Sequence, residues 1–148
     1  MSIDDHELIS RLKFIANIGK GEKINVPKLH VLENTWQTTI LRTVWNIDTR
    51  QNAQNFIKDT INTSFENIYL FIKSGNISKH QIARNMIIDI INAKKGISNI
   101  KFTYRTDIMF KCAMDTLIQR IDAKLVELKN NYEGIMDDID ITSDSDNI

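Results

Sequence analysis

The strongest organised pattern in this chain is a run of apolar residues near its carboxyl end, spaced alternately three and four apart. This run, called the seam below, comprises Met114, Ile118, Ile121, Leu125, Leu128 and Tyr132. Residues with this spacing lie on one side of an α-helix. The seam therefore predicts a long helix that packs one face against a partner helix, and it indicates packing rather than chemistry.

The pattern that leads into the seam changes phase. An opening stripe of Ile100, Tyr104 and Ile108 would continue to Lys111, whereas the seam continues from Phe110. Such a shift in an apolar repeat predicts a bend or a change of packing partner at this point. One long helix and two joined helices are both compatible with it.

Three further helical patterns occupy the first half of the chain. The first begins between Ser2 and Asp5 and ends at Gly19, because glycine adopts the left-handed conformation that terminates helices at little cost. The second is capped by Asn34 or Thr35. The third has the clearest apolar stripe, which comprises Ala53, Ile57, Ile61, Phe65 or Ile68, and Ile72. Gly75 lies just beyond its predicted end.

A fourth helix is predicted from a capping box at Ser78 and Gln81, in which each side chain bonds a free amide of the first turn. Its apolar positions run from Ile82 to Ile91, and Gly96 is expected to end it. Pro27 prevents a regular helix in the segment before the second helix, so an ordered connector, with a short strand as an option, is expected there.

Composition supports an all-α fold. The 148 residues include one proline and five glycines, and 42% of them are hydrophobic and 26% charged. We expect an irregular bundle of four to six helices with a long C-terminal helix and an ordered connector around Pro27. The single helical domain is predicted over 1–133, and 134–148 is predicted to be a disordered acidic tail.

Charge divides the chain in the same way. Five of the 19 acidic residues are aspartates of the tail, so the remaining 14 face 19 basic residues in 1–133. No apolar run approaches the roughly 18 residues of a membrane span, and the acidic start does not resemble a targeting peptide. Cys112 is the only cysteine, which excludes an intrachain disulfide. An intracellular, cytoplasmic protein without membrane contact is expected.

The sequence offers little for catalysis. His6, His30 and His80 are scattered without metal-ligand spacing, so no metal and no cofactor are predicted. Cys112 is expected to be a small buried core residue, and a reactive thiol is the alternative. An enzyme assembled from distant residues, with Cys112 as nucleophile, is the least favoured interpretation. The chain is predicted not to be an enzyme.

A basic segment over 79–111 is the best polar candidate for function. Its cations that could contact the phosphates of a nucleic acid are Lys94, Lys95, Lys101, Arg105 and Lys111. Phe102 and Tyr104 lie among them and could stack on bases, as aromatic residues do in proteins that bind single strands. The alternative is a solvated basic face that meets an acidic protein, including the tail of this chain.

The tail contains a candidate modification site. Ser143 and Ser145 are each followed by aspartate, the context that acidophilic kinases accept, and a phosphate would deepen the negative charge of the tail. The other interpretation of the tail is solubility and electrostatic shielding of the basic body.

Part of the chain resembles short uncharacterised proteins of nucleocytoplasmic large DNA viruses, similar to those of mimivirus-like genomes. The resemblance is carried by 12–26, by Asn34-Thr-Trp36, by 100–104 with Asp107, and by the abundance of Ile, Asn and Lys. It covers most of 8–125 and implies a viral origin and an infected-cell or virion setting. It implies no catalytic residue.

The leading functional prediction is a non-enzymatic interaction or structural protein that assembles through apolar helix faces, as a homo-oligomer or with another protein. The seam motivates it, together with the lack of a catalytic constellation in the sequence. The alternative is a nucleic-acid-associated factor that uses the basic segment.

Overall fold

The computed structural model describes residues 5–19, 50–139 and 141, and the structural statements below concern these residues. They form five helices and no strand, which confirms the all-α prediction. The helices are α1 (Asp5–Gly19), α2 (Arg50–Lys73), α3 (Ile77–Thr103), α4 (Ile108–Asn131) and α5 (Glu133–Met136). The predicted connector around Pro27, the helix capped by Asn34 or Thr35, and the two candidate phosphorylation sites lie outside the described residues.

The longest helix, α3, is the centre of the bundle. It contacts each of the other four helices, and α1 lies along it most extensively. α2 packs against α1, α3 and α4, while α5 closes against α3 and α4. The largest fully buried side chains come from α1 to α4 and are Leu8, Leu12, Ile15, Ile57, Ile61, Phe65, Ile68, Met86, Ile87, Ile90, Ile97 and Met114. The apolar stripe predicted for α2 is therefore confirmed as a core face from Ile57 to Ile72.

In the turn between α2 and α3, the predicted position of Gly75 just beyond the end of a helix is confirmed, and the predicted cap at Ser78 is wrong. Gly75 has a φ of 72°, the left-handed conformation in which glycine carries no steric penalty. The cap of α3 is Asn76, whose side-chain oxygen accepts a hydrogen bond of 2.8 Å from the amide of Ser78. The capping box predicted at Ser78 and Gln81 is wrong because the helix begins earlier, and Gln81 donates instead to Asn85.

Gly96 does not end α3, contrary to the prediction; the helix continues to Thr103. Gly96 is buried where α1 crosses α3. A Cβ atom added there would lie 2.9 Å from the Ala16 Cα and 3.0 Å from the Ile15 carbonyl carbon, and closer still to the Ile15 carbonyl oxygen. The glycine is needed because the two backbones approach closely, and its conformational freedom is not used.

The long C-terminal helical pattern is two helices, the second of the alternatives that the phase shift allowed. The chain turns between Tyr104 and Asp107, and Asp107 caps α4 by accepting a bond of 3.1 Å from the amide of Phe110. The rings of Tyr104 and Phe110 meet edge to face with centroids 5.7 Å apart, which fixes the turn against the core.

Several apolar residues beyond residue 133, the predicted end of the helical domain, pack on the bundle. Met136 on α5 is buried, and Ile135, Ile139 and Ile141 are half-buried against the core. α5 is only four residues long, and the apolar contacts of these residues hold this part of the chain on α3 and α4. These residues belong to an acidic segment of the sequence, which is why they were assigned to the predicted tail.

Replacing Gly96 by alanine should destabilise the fold, since the new methyl group would collide with the backbone of α1. We expect the free energy of unfolding to fall by about 1–3 kcal/mol, as in overpacked cores, despite the better helix propensity of alanine. Urea denaturation followed by circular dichroism measures the loss. Gly134→Ala is the matched control, because a Cβ there meets nothing within 4 Å. Equal effects of the two substitutions would contradict the role of the α1–α3 contact.

Asp89 should make stability depend on pH. Burial raises the pKa of this carboxyl on α3, and the attraction of Lys13 on α1 only partly opposes the rise. The folded state therefore holds the proton more tightly than the unfolded state, and stability should fall as pH rises from the ordinary aspartate pKa through the raised one. Asp89→Asn should raise the melting temperature at neutral pH and leave it unchanged in acid, where both side chains are neutral. A stabilisation of equal size at both pH values would refute this assignment.

Candidate interaction site at the α3–α4 turn

Two ion pairs join α3 to α4 and set the geometry of the site. The Nζ atom of Lys94 lies 2.6 Å from the Oδ1 atom of Asp122, and that of Lys101 lies 2.7 Å from that of Asp115. Lys101 lies seven residues after Lys94 on α3, whereas its partner Asp115 lies seven residues before Asp122 on α4. The helices therefore run antiparallel. The two lysines share one face of α3 and the two aspartates share one face of α4, because residues one heptad apart lie on the same side of a helix.

These ion pairs divide the predicted nucleic-acid residues. Lys94 and Lys101 are held by carboxylates between the helices, and the side chain of Lys94 is only 6% exposed. Lys95, Arg105 and Lys111 are exposed. The five cations therefore do not form one free basic surface, because the two that bind aspartates are neutralised within the hairpin.

The residues of the seam lie in the core of this chain. Met114, Ile121, Leu125 and Leu128 are buried and Tyr132 is half-buried. Packing of this helix face against partner helices is confirmed, but the partners are α2, α3 and α5 of the same chain. As a surface for a second molecule the seam is covered, so any assembly has to use other residues.

The buried face of α4 includes one residue that was not predicted. Leu117 is buried and Ile118 is half-buried, so Leu117 belongs to the buried face of α4 although it was not predicted. Starting the alternation at Phe110 rather than counting back from Tyr132 leads through Met114 to Leu117 and then to Ile121. Counting from Phe110, just after the helix cap, therefore identifies Leu117 as a buried position.

Cys112 is exposed, and the prediction that it belongs to the core is wrong. It lies two residues from both Phe110 and Met114, which places it about 200° around the helix from each. The buried face of α4 therefore faces away from the thiol. Its backbone carbonyl accepts a hydrogen bond of 3.0 Å from the Thr116 hydroxyl.

Three large apolar side chains are exposed at the turn itself. Phe102 is 63% exposed, Ile108 66% and Met109 80%, all within eight residues of chain. The Arg105 guanidinium lies over the Phe102 ring, 4.3 Å from its centroid, and donates to the Phe102 carbonyl oxygen at 2.9 Å. We call these four residues the hairpin tip. It is an apolar surface with a cation stacked on its aromatic ring.

The charge around the hairpin tip is positive. Arg105 and Lys111 are exposed there and Lys101 is paired with Asp115. Two cations therefore outnumber the one carboxylate of the turn, Asp107, which caps α4. An apolar surface within a positive rim matches an apolar partner surface that carries acidic residues.

The other large apolar residues that are exposed in the described structure do not cluster along the chain. Leu70 is on α2, Ile77 and Ile88 are on α3, and Val126 is on α4. Single exposed apolar side chains are ordinary on protein surfaces, whereas three at one turn are a recognised mark of interaction sites. Sequence reasoning singled out Phe102, placed Ile108 in an apolar stripe and did not single out Met109. The exposure of Ile108 and Met109 depends on where the turn interrupts the helical pattern.

Residues 5–19 and 50–139 contain neither a metal-ligand cluster nor a membrane-spanning helix. No group of three or more His, Cys, Asp or Glu residues in this part of the chain could hold a metal ion. Nor does any helix there combine the length and apolar character needed to cross a bilayer. Comparisons with known protein families, curated proteins and solved structures find no match for this chain.

The pair of Lys94 and Asp122 should be structural. Asp122→Asn leaves the buried ammonium of Lys94 without a counter-charge and should lower the free energy of unfolding by about 1–3 kcal/mol, less than for a fully buried pair because Asp122 is half-exposed. Lys94→Met keeps the apolar stem and removes the charge, so its cost should stay below about 1 kcal/mol. Chemical denaturation of both variants and of the double variant forms a double-mutant cycle. An additive double variant would show that the two side chains do not interact.

Proposed function

We propose that this chain is a non-enzymatic helical interaction protein that binds another protein through the hairpin tip. The observation that carries the proposal is the exposure of Phe102, Ile108 and Met109 at one turn of an otherwise well-packed bundle. Burying large apolar side chains contributes about 1.5–3 kcal/mol each, so three of them provide substantial binding energy.

The hairpin tip is suited to binding because the turn that carries it is held on both sides. The cap of Asp107, the ring contact between Tyr104 and Phe110, and the pair of Lys101 with Asp115 all lie within one or two helical turns of it. A surface that is already ordered loses less conformational entropy on binding. An aromatic ring, an arginine and a methionine are also enriched in the centres of protein interfaces.

The charges favour a different protein over a second copy of this chain. A tip-to-tip dimer would bring Arg105 and Lys111 of one copy towards the same residues of the other, and like charges across an interface are unfavourable. A partner with an apolar groove and an acidic rim has no such penalty. Homo-oligomer assembly remains the second form of the proposal. Self-association should strengthen as salt increases, whereas binding to an acidic partner should weaken.

Nucleic-acid binding is a second candidate function, supported by one observation. The exposed Phe102 ring already stacks with the Arg105 guanidinium, and Lys95 and Lys111 are exposed cations on the same two helices. Aromatic and arginine side chains together form stacking platforms for single-stranded bases. Fluorescence anisotropy with a labelled single-stranded oligonucleotide tests it, and affinity should fall steeply with salt.

The double variant Ile108→Ser with Met109→Ser should weaken partner binding and leave the fold intact, since both side chains are largely exposed. Loss of their burial should weaken binding at least about tenfold. The measurement is titration of a partner captured by the wild-type chain, with melting temperature as the fold check. Val126→Ser is the control, because it removes an exposed apolar residue from α4 outside the tip.

Salt and oligomeric state separate the alternatives. Binding to an acidic partner should weaken as salt increases, whereas self-association of the tip should strengthen because salt screens the like charges. Light scattering coupled to size-exclusion chromatography measures self-association directly. If the tip variant and the Val126 control both retain every interaction of the wild type, the hairpin tip is not the binding surface.

A further inference from the structure

An open cleft of about 640 Å³ lies at the opposite end of α3 from the hairpin tip. By the rise of an α-helix, the two ends are about 35 Å apart along the axis. The residues that line the cleft come from the end of α2, the first two turns of α3, and the junction of α4 with α5; they are Ile72, Ile77, His80, Gln81, Arg84, Tyr132, Gly134 and Ile135. We call it the α3 cleft.

Two hydrogen bonds hold the walls of the α3 cleft. The Nη1 atom of Arg84 donates to the carbonyl oxygen of Ile135 at 2.9 Å and so fastens α5 to α3. The Nε2 atom of His80 lies 3.1 Å from the carbonyl oxygen of Ile72, which joins α3 to the end of α2. Because a carbonyl oxygen only accepts, this nitrogen of His80 carries the proton.

The polar side of the α3 cleft is suited to an anion. A guanidinium has five N–H donors, and Arg84, which lines the cleft, uses one of them on Ile135. His80 and Gln81 line the same cleft, and its described lining residues include no carboxylate. A bound anion would therefore meet a cation and polar groups without a competing negative charge in this part of the wall.

The apolar side comes from the four residues Ile72, Ile77, Tyr132 and Ile135. Ile77 is 84% exposed at the rim, although it is the first residue of a long helix. Sites for small molecules typically combine such apolar walls with a few polar groups in volumes of about 300–1,000 Å³. We infer that the α3 cleft binds a small organic acid, with a carboxylate on Arg84 and a hydrocarbon or aromatic body on the isoleucines and Tyr132.

This inference is independent of the function proposed for the hairpin tip, since the two surfaces share no residue. The test compares 4-phenylbutyrate with 4-phenylbutan-1-ol, which have the same apolar body and differ in the charged group. Isothermal titration calorimetry on the full chain should show saturable binding of the acid and much weaker binding of the alcohol. Equal affinities would overturn the assignment of an anion site.

Arg84→Gln should weaken binding of the acid about tenfold, the usual effect of losing one charge-assisted hydrogen bond. Arg120→Gln is the matched control, because it removes the same charge from an exposed arginine of α4 that does not line the α3 cleft. Loss of affinity of equal size in both variants would mean that only the net charge matters and would refute the site.

A second pair of variants keeps the test valid if Arg84→Gln loosens α5. Ile77→Asp places a carboxylate at the rim, on an exposed first helical residue where acids are tolerated, and Ile77→Asn is its neutral counterpart. The acid should bind Ile77→Asp several-fold more weakly than Ile77→Asn. Nuclear magnetic resonance gives the location: the amide of Gly134 should shift on titration, while that of Gly96, buried against α1, should not. A shift of Gly96 alone, or no difference between the two Ile77 variants, would overturn the proposal.

Discussion

The close approach of α1 to α3 at Gly96 is the contact on which the arrangement of the other helices depends. With a side chain at this position the two backbones would have to separate, and the buried side chains of Leu12, Ile15 and Ile97 would lose part of their packing. Because α3 also contacts α2, α4 and α5, a displacement of α1 would disturb the one helix that all the others pack against. A glycine in mid-helix lowers helix propensity, and close packing compensates for that cost.

The two ion pairs between α3 and α4 specify the register of the hairpin. If α4 slipped by one heptad, a pair such as Lys101 with Asp122 could still form, but Lys94 would be left buried without a counter-charge. An unpaired buried charge costs several kcal/mol, whereas one well-made pair contributes little net stability. Two pairs at heptad spacing therefore discriminate against slipped registers more than they stabilise the native one. We expect their main contribution to be to specificity.

Much of the fold could be predicted from the sequence because its information is local. The apolar stripe of α2 and the left-handed glycine at Gly75 follow from helical periodicity and backbone sterics. The role of Gly96 could not be predicted, since a glycine that ends a helix and one that admits a neighbouring helix look alike until the neighbour is known. The exposure of Cys112 was misjudged because the phase of α4 is set by its cap at Asp107. The seam was identified, but whether a seam closes its own core or joins two molecules is decided by helices remote in sequence.

The exposure of the hairpin tip follows from the same geometry and is a property of the free molecule. Ile108 and Met109 precede Phe110, the first buried residue of α4, by about 200° and 100° around the helix. Neither can rotate into the core without withdrawing Phe110, which is held by the ring of Tyr104 and by the cap of Asp107. The apolar surface is therefore fixed by the residues beneath it. A partner would meet it already formed, so the energy of burying it would not be spent on rearranging this protein.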